Sequence, residues 1–483
     1  MNEKKIKIKA SWIIAYDGHE HRYLKDGEIV YQGQDIIYVG KRYDKSVDET
    51  LNAVGKIISP GFVTTHAHPA YSPLDRSLLD DVSGDKVLYE LMLPLQRSVP
   101  LEMRTILYEF GLMEMLRCGT TTAVDINFLD TAEKTVPLIK QYGNRVYLAP
   151  MTFSADLLMD PKGEVKYEWM ETESMEILDH NIDFLKTHEN TCDGLIRGMI
   201  SIGQADTSTE KLLLKSQEYA KKYQMPVTIH TAQSGVEYQE MLKRYGKTSL
   251  SWLRDIGFLQ DNVLLGHAFI ISGSSHANWF MGEETAAGDL EIMAKSGCSV
   301  AHCPWVYMRD GAVLESFARY LEAGINMSIG TDTSPQNILR NMRLAAIGSK
   351  MADYNPKSTT AADVFNAATL GGAKALGRDD IGRLGVGAKA DMVIFSGNSL
   401  GMAPLRDPVS NIVYNSDKDD VETVIVNGRT VIEKGQVLGG DESEICHRIQ
   451  EMASEVWSNM PENDLAKRSV DELSPLKFKY WKN

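Results

Sequence analysis

The sequence predicts an α/β protein: a (β/α)8 barrel of the TIM type with a small flanking β-sandwich built from both chain ends. Three observations carry this reading. From Pro60 to about residue 382, short apolar strands alternate with longer segments of helical spacing, the grammar of parallel βα units. Eight such strands can be counted, which is the number that closes a barrel. On either side of this region the pattern becomes alternating and turn-rich, as in antiparallel sheet.

Residues 1–58 hold the runs KIKIKASWIIAYDG, GEIVYQGQDIIYVG and AVGKIISPG, separated by Gly and Asp turn signals. The barrel strands follow as GFVTTHAH (61–68), TTTAVDI (120–126), RVYLAPMT (145–152), LIRGMISI (195–202), PVTIHTA (226–232), NVLLGHA (262–268), CSVAHCP (298–304) and NMSIGTD (326–332). Between them, VPLEMRTILYEFGLMEMLRCG, LEIMAKSG and VLESFARYLEAG have helical spacing and end on Gly, as helix C-termini do. Past residue 382, GRLGVGAKADMVIFSG and DVETVIVNGRTVIEKGQVLGG return to alternation, with a hairpin turn at Asn427 and Gly428. The expected domains are residues 1–58 with 383–440 for the sandwich, 59–382 for the barrel and 441–483 for a C-terminal helical tail. The tail joins the helical pattern ESEICHRIQEMASEVWSNM to the aromatic FKYWKN. Packing on the body and packing on a neighbouring subunit both stay open.

At 483 residues the chain has room for a barrel with additions, and 43% apolar with 24% charged residues is ordinary globular usage. A net charge of −15 makes nucleic acid and anionic lipid poor partners, and the expected partner is a small-molecule substrate. The acidic surface and tail are compatible with a homo-oligomer. Five cysteines (Cys118, Cys192, Cys298, Cys303, Cys446) form no CxxC spacing, so neither a disulfide framework nor a thiolate zinc knuckle is expected, and a reducing cytoplasm is the simplest setting. The basic start lacks a signal-type apolar core, and nowhere do eighteen apolar residues run together, so no membrane association is expected. Neither a glycine-rich phosphate loop nor a dinucleotide fingerprint stands in a strand-helix context, and there is no GxSxG elbow; organic cofactors are not expected.

The placement of the histidines carries the chemistry. His66 and His68 lie two apart near the end of the first barrel strand, so both imidazoles face the barrel interior. An HxH pair alone is a weak signal, since a pair of hydrogen-bonded polar residues at a strand terminus is the commoner use of the pattern. His230 ends strand five, His267 strand six and Asp332 strand eight, which brings five candidate groups to one mouth of one barrel. Three imidazoles and a carboxylate with an open position bind a divalent ion and a water whose pKa falls toward about 7.

The segments PGFVTTHAHP, VTIHTA, LLGHA and IGTDT, in this order, resemble the amidohydrolase superfamily, specifically its mononuclear branch of chlorohydrolases and adenosine-type, guanine and cytosine deaminases. The resemblance covers the chain except its tail. It implies that His66, His68, His230 and Asp332 ligate one metal ion, with His267 beside the metal-bound water and Asp332 as its proton acceptor. Binuclear members commonly carry a carboxylated lysine on strand four; LIRGMISI has no lysine, which favours a single ion. Zinc is the first choice for this ligand set, with iron or manganese as alternatives.

Three departures from the resemblance bear on the reaction. Aromatic deaminases of the branch read HxxE on strand five, where the glutamate protonates a ring nitrogen; here the fourth residue is Gln233, which donates a hydrogen bond but delivers no proton. After strand four a His-Ala-Pro-Tyr segment is replaced by Gly203, Gln204, Ala205 and Asp206. Many relatives read His-Asn-Pro where this chain has His302, Cys303 and Pro304. Cys303 reads as a buried apolar side chain, with His302 turned from the cavity or orienting the loop. Trp305 and Tyr307 are candidates for an aromatic wall, Arg309 for a substrate carboxylate, and Gln96 with Arg97 for a reach into the pocket; core packing and surface pairing are their competing uses. Asp80 and Asp81 read as a solvated turn or cap, with a substrate role as the alternative.

The expectation is a metal-dependent hydrolase that cleaves a C–N bond of an amide-, urea-, carbamate- or amidine-like small molecule, with Asp332, His267 and Gln233 at the reacting centre. A heterocycle deaminase or chlorohydrolase is the alternative, made awkward by Gln233. A catalytically silent assembly barrel is the third reading, disfavoured because a scaffold has no physical need for a desolvated ligand set.

Overall fold

The computed structural model describes residues 3–77, 88–160, 162, 164–275, 288–314, 316–464 and 466–481. The eight barrel strands run Phe62–Ala67, Thr120–Asn127, Arg145–Thr152, Ile200–Gln204, Val227–Thr231, Val263–His267, Ser299–His302 and Asn326–Ile329. Each pairs in parallel with the next. Strand four begins as a separate piece, Ile196–Gly198, that pairs with strand three. The strands are buried nearly throughout because helices cover them outside and side chains fill them inside, which is why they read as continuous apolar runs.

The last and first strands meet through one parallel bridge, Ala67 to Asp332, and a side-chain bond between Thr65 Oγ1 and Ser328 Oγ at 2.7 Å. This seam carries the first HxH pair and the last-strand aspartate to the same place.

Strands from both chain ends form one eight-stranded sheet in the order Gln436–Val437, Arg429–Glu433, Val421–Val426, Met392–Ser396, Glu49–Pro60, Lys5–Tyr16, His21–Gln32, Asp35–Gly40. Met392–Ser396 pairs antiparallel with Glu49–Pro60, and this contact joins the two ends of the chain. Ile8, Ile13, Ile29, Ile36, Ile58, Ile394 and Ile425 form a core of their own beside the barrel. Asn427 and Gly428 have φ of 53° and 76°, the left-handed pair that a tight hairpin of this twist requires. The fold is thus the expected (β/α)8 barrel with a flanking β-sandwich. A fully buried ion pair, Arg145 to Asp391, ties barrel strand three to this sheet, and Arg145 Nη2 also donates to Asn427 Oδ1 at 2.7 Å.

One feature had no signal in the sequence, and one expected element finds its packing partner. After strand three the chain forms a hairpin, Ala155–Met159 with Val165–Trp169. The helix Glu442–Asn463 packs on the barrel helices Leu93–Arg97 and Leu101–Arg117 through Leu95, Val99, Leu107, Ala453, Val456 and Met460. Past it, Phe478, Tyr480 and Trp481 are exposed. Among the described residues no helix is long and apolar enough to cross a membrane.

Candidate metal centre and active site

His66 is the hub of a histidine cluster at the C-terminal ends of the barrel strands. Its ring centroid lies 5.1 Å from His68, 4.7 Å from His230 and 4.8 Å from His267. Period-two geometry sends His66 and His68 to one face, and strands five and six deliver His230 and His267 beside them. Room for the His66 ring comes from Gly266, where a Cβ would stand 2.7 Å from His66 Cε1. One nitrogen from each of His66, His230 and His267 falls within 4.8 Å of the others.

Hydrogen bonds settle two tautomers. His68 Nδ1 is 2.8 Å from the Ile126 carbonyl and His230 Nδ1 is 2.6 Å from the Gly203 carbonyl. A carbonyl only accepts, so each Nδ1 carries the proton and each Nε2 keeps its lone pair. Those two Nε2 atoms stand 3.2 Å apart. Burial holds His68 down to about 3 and His230 to about 4, and drives His66 and His267 well below the usual imidazole range, so the rings are neutral. Neither His66 nitrogen, nor His267 Nδ1, has a hydrogen-bond partner among the described residues. Converging neutral lone pairs without protons are costly alone and fit a divalent cation.

Asp332 completes the group from the closing seam. Its Oδ1 lies 3.7 Å from His68 Nε2 and its Oδ2 3.7 Å from His267 Nε2. The backbone there is left-handed, φ 57°, and is held from three sides. Asp332 N donates to His66 O at 2.9 Å, while Asp332 O accepts from His68 N and from Gln336 Nε2, both at 2.8 Å. Burial, and then the charge of Asp75, push the Asp332 carboxyl up to about 7. Gln336 gave no signal in the sequence, because a buried amide bracing a backbone has no spacing rule. Cys303 Sγ approaches the ligand atoms of His66 and Asp332; burial drives this thiol well above its ordinary range, so it is not a thiolate nucleophile.

Gln233 follows the end of strand five, at the same mouth. Its Nε2 is buried with no hydrogen-bond partner among the described residues, and its backbone carbonyl accepts from Tyr307 OH at 3.2 Å. A buried carboxylate is present nearby but is committed elsewhere. Glu237 Oε1 accepts from Ala232 N at 2.7 Å and Ser249 Oγ at 2.6 Å, and Oε2 from Gln233 N at 2.9 Å. Glu237 therefore clamps the strand-five turn, where Ala232 has φ 52°. Gly203 has a physical cause as well: a Cβ there would lie 1.9 Å from the Phe153 ring, which occupies the space a side chain at 203 would need.

The other candidates divide. Tyr307, in the helix Pro304–Met308, sets its ring edge-on to His267 at 5.5 Å and stacks on Phe269 at 4.0 Å. Trp305 in the same helix lies under the Arg340 guanidinium, 5.0 Å from its ring centroid. Gln96 and Arg97 sit in the helix Leu93–Arg97, and Arg97 is taken up by Asp156 Oδ1 and Leu157 O, both at 2.8 Å. The His302 ring packs near Phe317 at 5.8 Å. Asp80 and Asp81 lie outside the described residues.

A parallel barrel with a histidine and aspartate cluster at its C-terminal mouth defines a metal-dependent barrel hydrolase. The Amidohydrolase family model matches residues 57–431, and the chain belongs to that family. It is 30% identical over 434 residues to a 5-methylthioadenosine/S-adenosylhomocysteine deaminase of Thermococcus sibiricus, covering 88% of this chain and 94% of the relative. It is 29% identical over 458 residues to a 5'-deoxyadenosine deaminase of Methanosarcina barkeri, covering 93% and 98%. Among solved structures, an adenosine deaminase from Xanthomonas campestris with bound zinc superposes with a TM-score of 0.80 at 22% identity, over 94% of this chain and 98% of that one. An atrazine chlorohydrolase from Arthrobacter aurescens complexed with zinc gives 0.78 at 22% identity, over 93% and 100%. These structures share the fold. The protein is a metal-dependent hydrolase acting on C–N bonds other than peptide bonds.

Proposed function

We propose that His66, His68, His230 and Asp332 hold one divalent ion, zinc as first choice, and that the enzyme hydrolyses an amide-, urea-, carbamate- or amidine-like small molecule in the cytoplasm. The observation that carries the reading is the pair of unprotonated Nε2 atoms of His68 and His230, 3.2 Å apart beside His66 and Asp332. An ion bound there acts as a Lewis acid that makes water ionise near neutral pH.

The chain's own residues do the rest. Asp332, with one carboxylate oxygen toward His68 and the other toward His267, accepts the proton of the attacking water and returns it to the leaving nitrogen. His267 donates from Nε2 toward the oxygen that gains charge as the sp² carbon becomes tetrahedral. Gln233 orients the substrate through its amide N–H, which has no partner among the described residues, and Tyr307 walls the pocket on the His267 side.

Deamination of an aminated heterocycle is the second reading, favoured by the names of the relatives above. It requires that ring-nitrogen protonation come from a group other than Gln233. The test is a substrate screen on protein of measured metal content, following ammonia, larger amines and halide separately. Release of an amine or ammonia identifies the scissile bond. Halide release alone, or no turnover by metal-replete protein across the panel, overturns the proposal.

A further inference from the structure

The first and last barrel strands share one backbone bridge, Ala67 to Asp332, whereas strands seven and eight pair from Ser299–Asn326 through to His302–Ile329. Side chains of the first βα unit take over at this thin seam. Glu114, in the helix Leu101–Arg117, accepts from Gln336 N through Oε2 at 2.9 Å and from Arg76 Nη2 through Oε1 at 2.5 Å. Arg76 stands in the turn Leu74–Ser77 after His68, and its Nε donates to Ser334 Oγ at 3.2 Å. Inside the seam, Thr331 N donates to Thr64 Oγ1 at 3.1 Å, and the two threonine hydroxyls meet at 3.2 Å. Apart from the Arg76–Glu114 pair, each of these contacts joins the unit that carries His66 and His68 to the loop that carries Asp332.

Gln336 lies at the middle of this clasp, fully buried, with each of its amide groups in use. Nε2 donates to Asp332 O at 2.8 Å and to Thr333 O, while Oε1 accepts from the Thr331 hydroxyl. The two carbonyl partners only accept, which fixes the orientation of the amide. Asp332 needs such a hold. Its φ of 57° is a left-handed backbone that a residue with a Cβ keeps only where its surroundings over-determine it. Glu114 reaches Asp332 through Gln336, by a charge-assisted bond to a backbone N–H. As a half-exposed ion pair alone, Arg76 with Glu114 would contribute little.

We propose that Gln336 and Glu114 are positioning residues for the metal centre. Gln336 fixes the backbone from which the Asp332 carboxylate is presented, and Glu114, steadied by Arg76, fixes Gln336 from outside the barrel. The proposal rests on the reading of His66, His68, His230 and Asp332 as the ligands. Closing the barrel and aiming Asp332 are then one event, and a helix of the outer ring sets how firmly the ion is held.

Zinc competition against a chromophoric chelator and the visible spectrum of the cobalt-loaded full chain test this, with melting of the metal-free protein measured alongside. Gln336→Met keeps the volume and removes the amide; zinc is expected to bind about tenfold more weakly, as when a group behind a ligand is lost, with an altered cobalt spectrum. Glu114→Ala is expected to move both readouts in the same direction. Glu114→Gln keeps an acceptor oxygen and is expected to restore most of the zinc affinity. The two Glu114 variants carry the test should Gln336→Met fail to fold. Variants that melt lower when metal-free, yet bind zinc as wild type does and keep its cobalt spectrum, would show that the clasp only stabilises the barrel, and overturn the proposal. So would a Glu114→Gln protein that binds zinc no better than Glu114→Ala. Loss of zinc in His230→Ala, with wild-type binding in Gln336→Met and Glu114→Ala, strikes the positioning roles alone. Wild type that binds no zinc, or His230→Ala that binds it equally well, removes the ligand reading and this proposal with it.

Discussion

His68 Nε2 and His230 Nε2 face each other at 3.2 Å, and each ring is locked in that tautomer by its own Nδ1 proton on a carbonyl oxygen, Ile126 for one and Gly203 for the other. The fold spends two backbone carbonyls to aim two lone pairs at one point. With no ion between them, that repulsion would be uncompensated. Chelator-treated protein is expected to melt several degrees lower than untreated protein and to recover with added zinc, as linkage requires. His230→Ala is expected to bind zinc more than about tenfold more weakly. Thermal melts and metal analysis check both, and equal melting with and without metal would contradict the assignment.

Asp332→Asn keeps the shape of the seam and removes the carboxylate proposed as proton acceptor. Turnover is expected to fall by about 10²-fold or more, the range typical of a lost general base. Steady-state kinetics at matched metal occupancy distinguish this from simple loss of the ion.

Gln233→Glu places an acid where the chain now has only an amide. Ammonia release from aminated heterocycles is expected to rise at least about tenfold, with little change for amide substrates that need no ring protonation. A wild type that already deaminates such rings rapidly, and gains nothing from the change, would show that another group supplies the proton.

Gly203→Ala drives a methyl group into the Phe153 ring. Stability is expected to drop by about 1–3 kcal/mol, as in other overpacked sites. Adding Phe153→Ala should return most of that loss in denaturant melts, because the clash has a single named partner.

Glu237 gives a pH signature. Burial, and then the Asp206 charge, raise its carboxyl to about 7 from an ordinary 4.5. The folded state therefore holds this proton more tightly than the unfolded chain, and its contribution to stability is full below about 4.5 and lost as pH rises to about 7. The melting temperature of Glu237→Gln minus that of wild type is expected to climb across this window and level off above it. A flat difference would mean that Glu237 is ionised throughout.

Much of the fold was legible from local pattern. Eight apolar strands, the turn at Asn427 and Gly428 and the antiparallel ends follow from periodicity and turn chemistry, which are properties of neighbours in the chain. The barrel mouth was legible for the same reason: a histidine or aspartate at the end of a parallel strand points to one place whatever the loops do. By contrast, Gln336 bracing Asp332, Glu237 clamping Ala232 and Gln233, Phe153 lying over Gly203 and the hairpin Ala155–Met159 with Val165–Trp169 carry no sequence period.

The sequence by itself determined the architecture, the family and the set of side chains at the centre, because these depend on residue type at repeating positions. Only the tertiary structure decided which nitrogen of His68 and His230 is free, how the seam between the first and last strands seats Asp332, and why Gly203 has no side chain. Those facts are contacts between segments distant in the chain, and their energies come from burial and hydrogen-bond geometry that exist only once the barrel has closed.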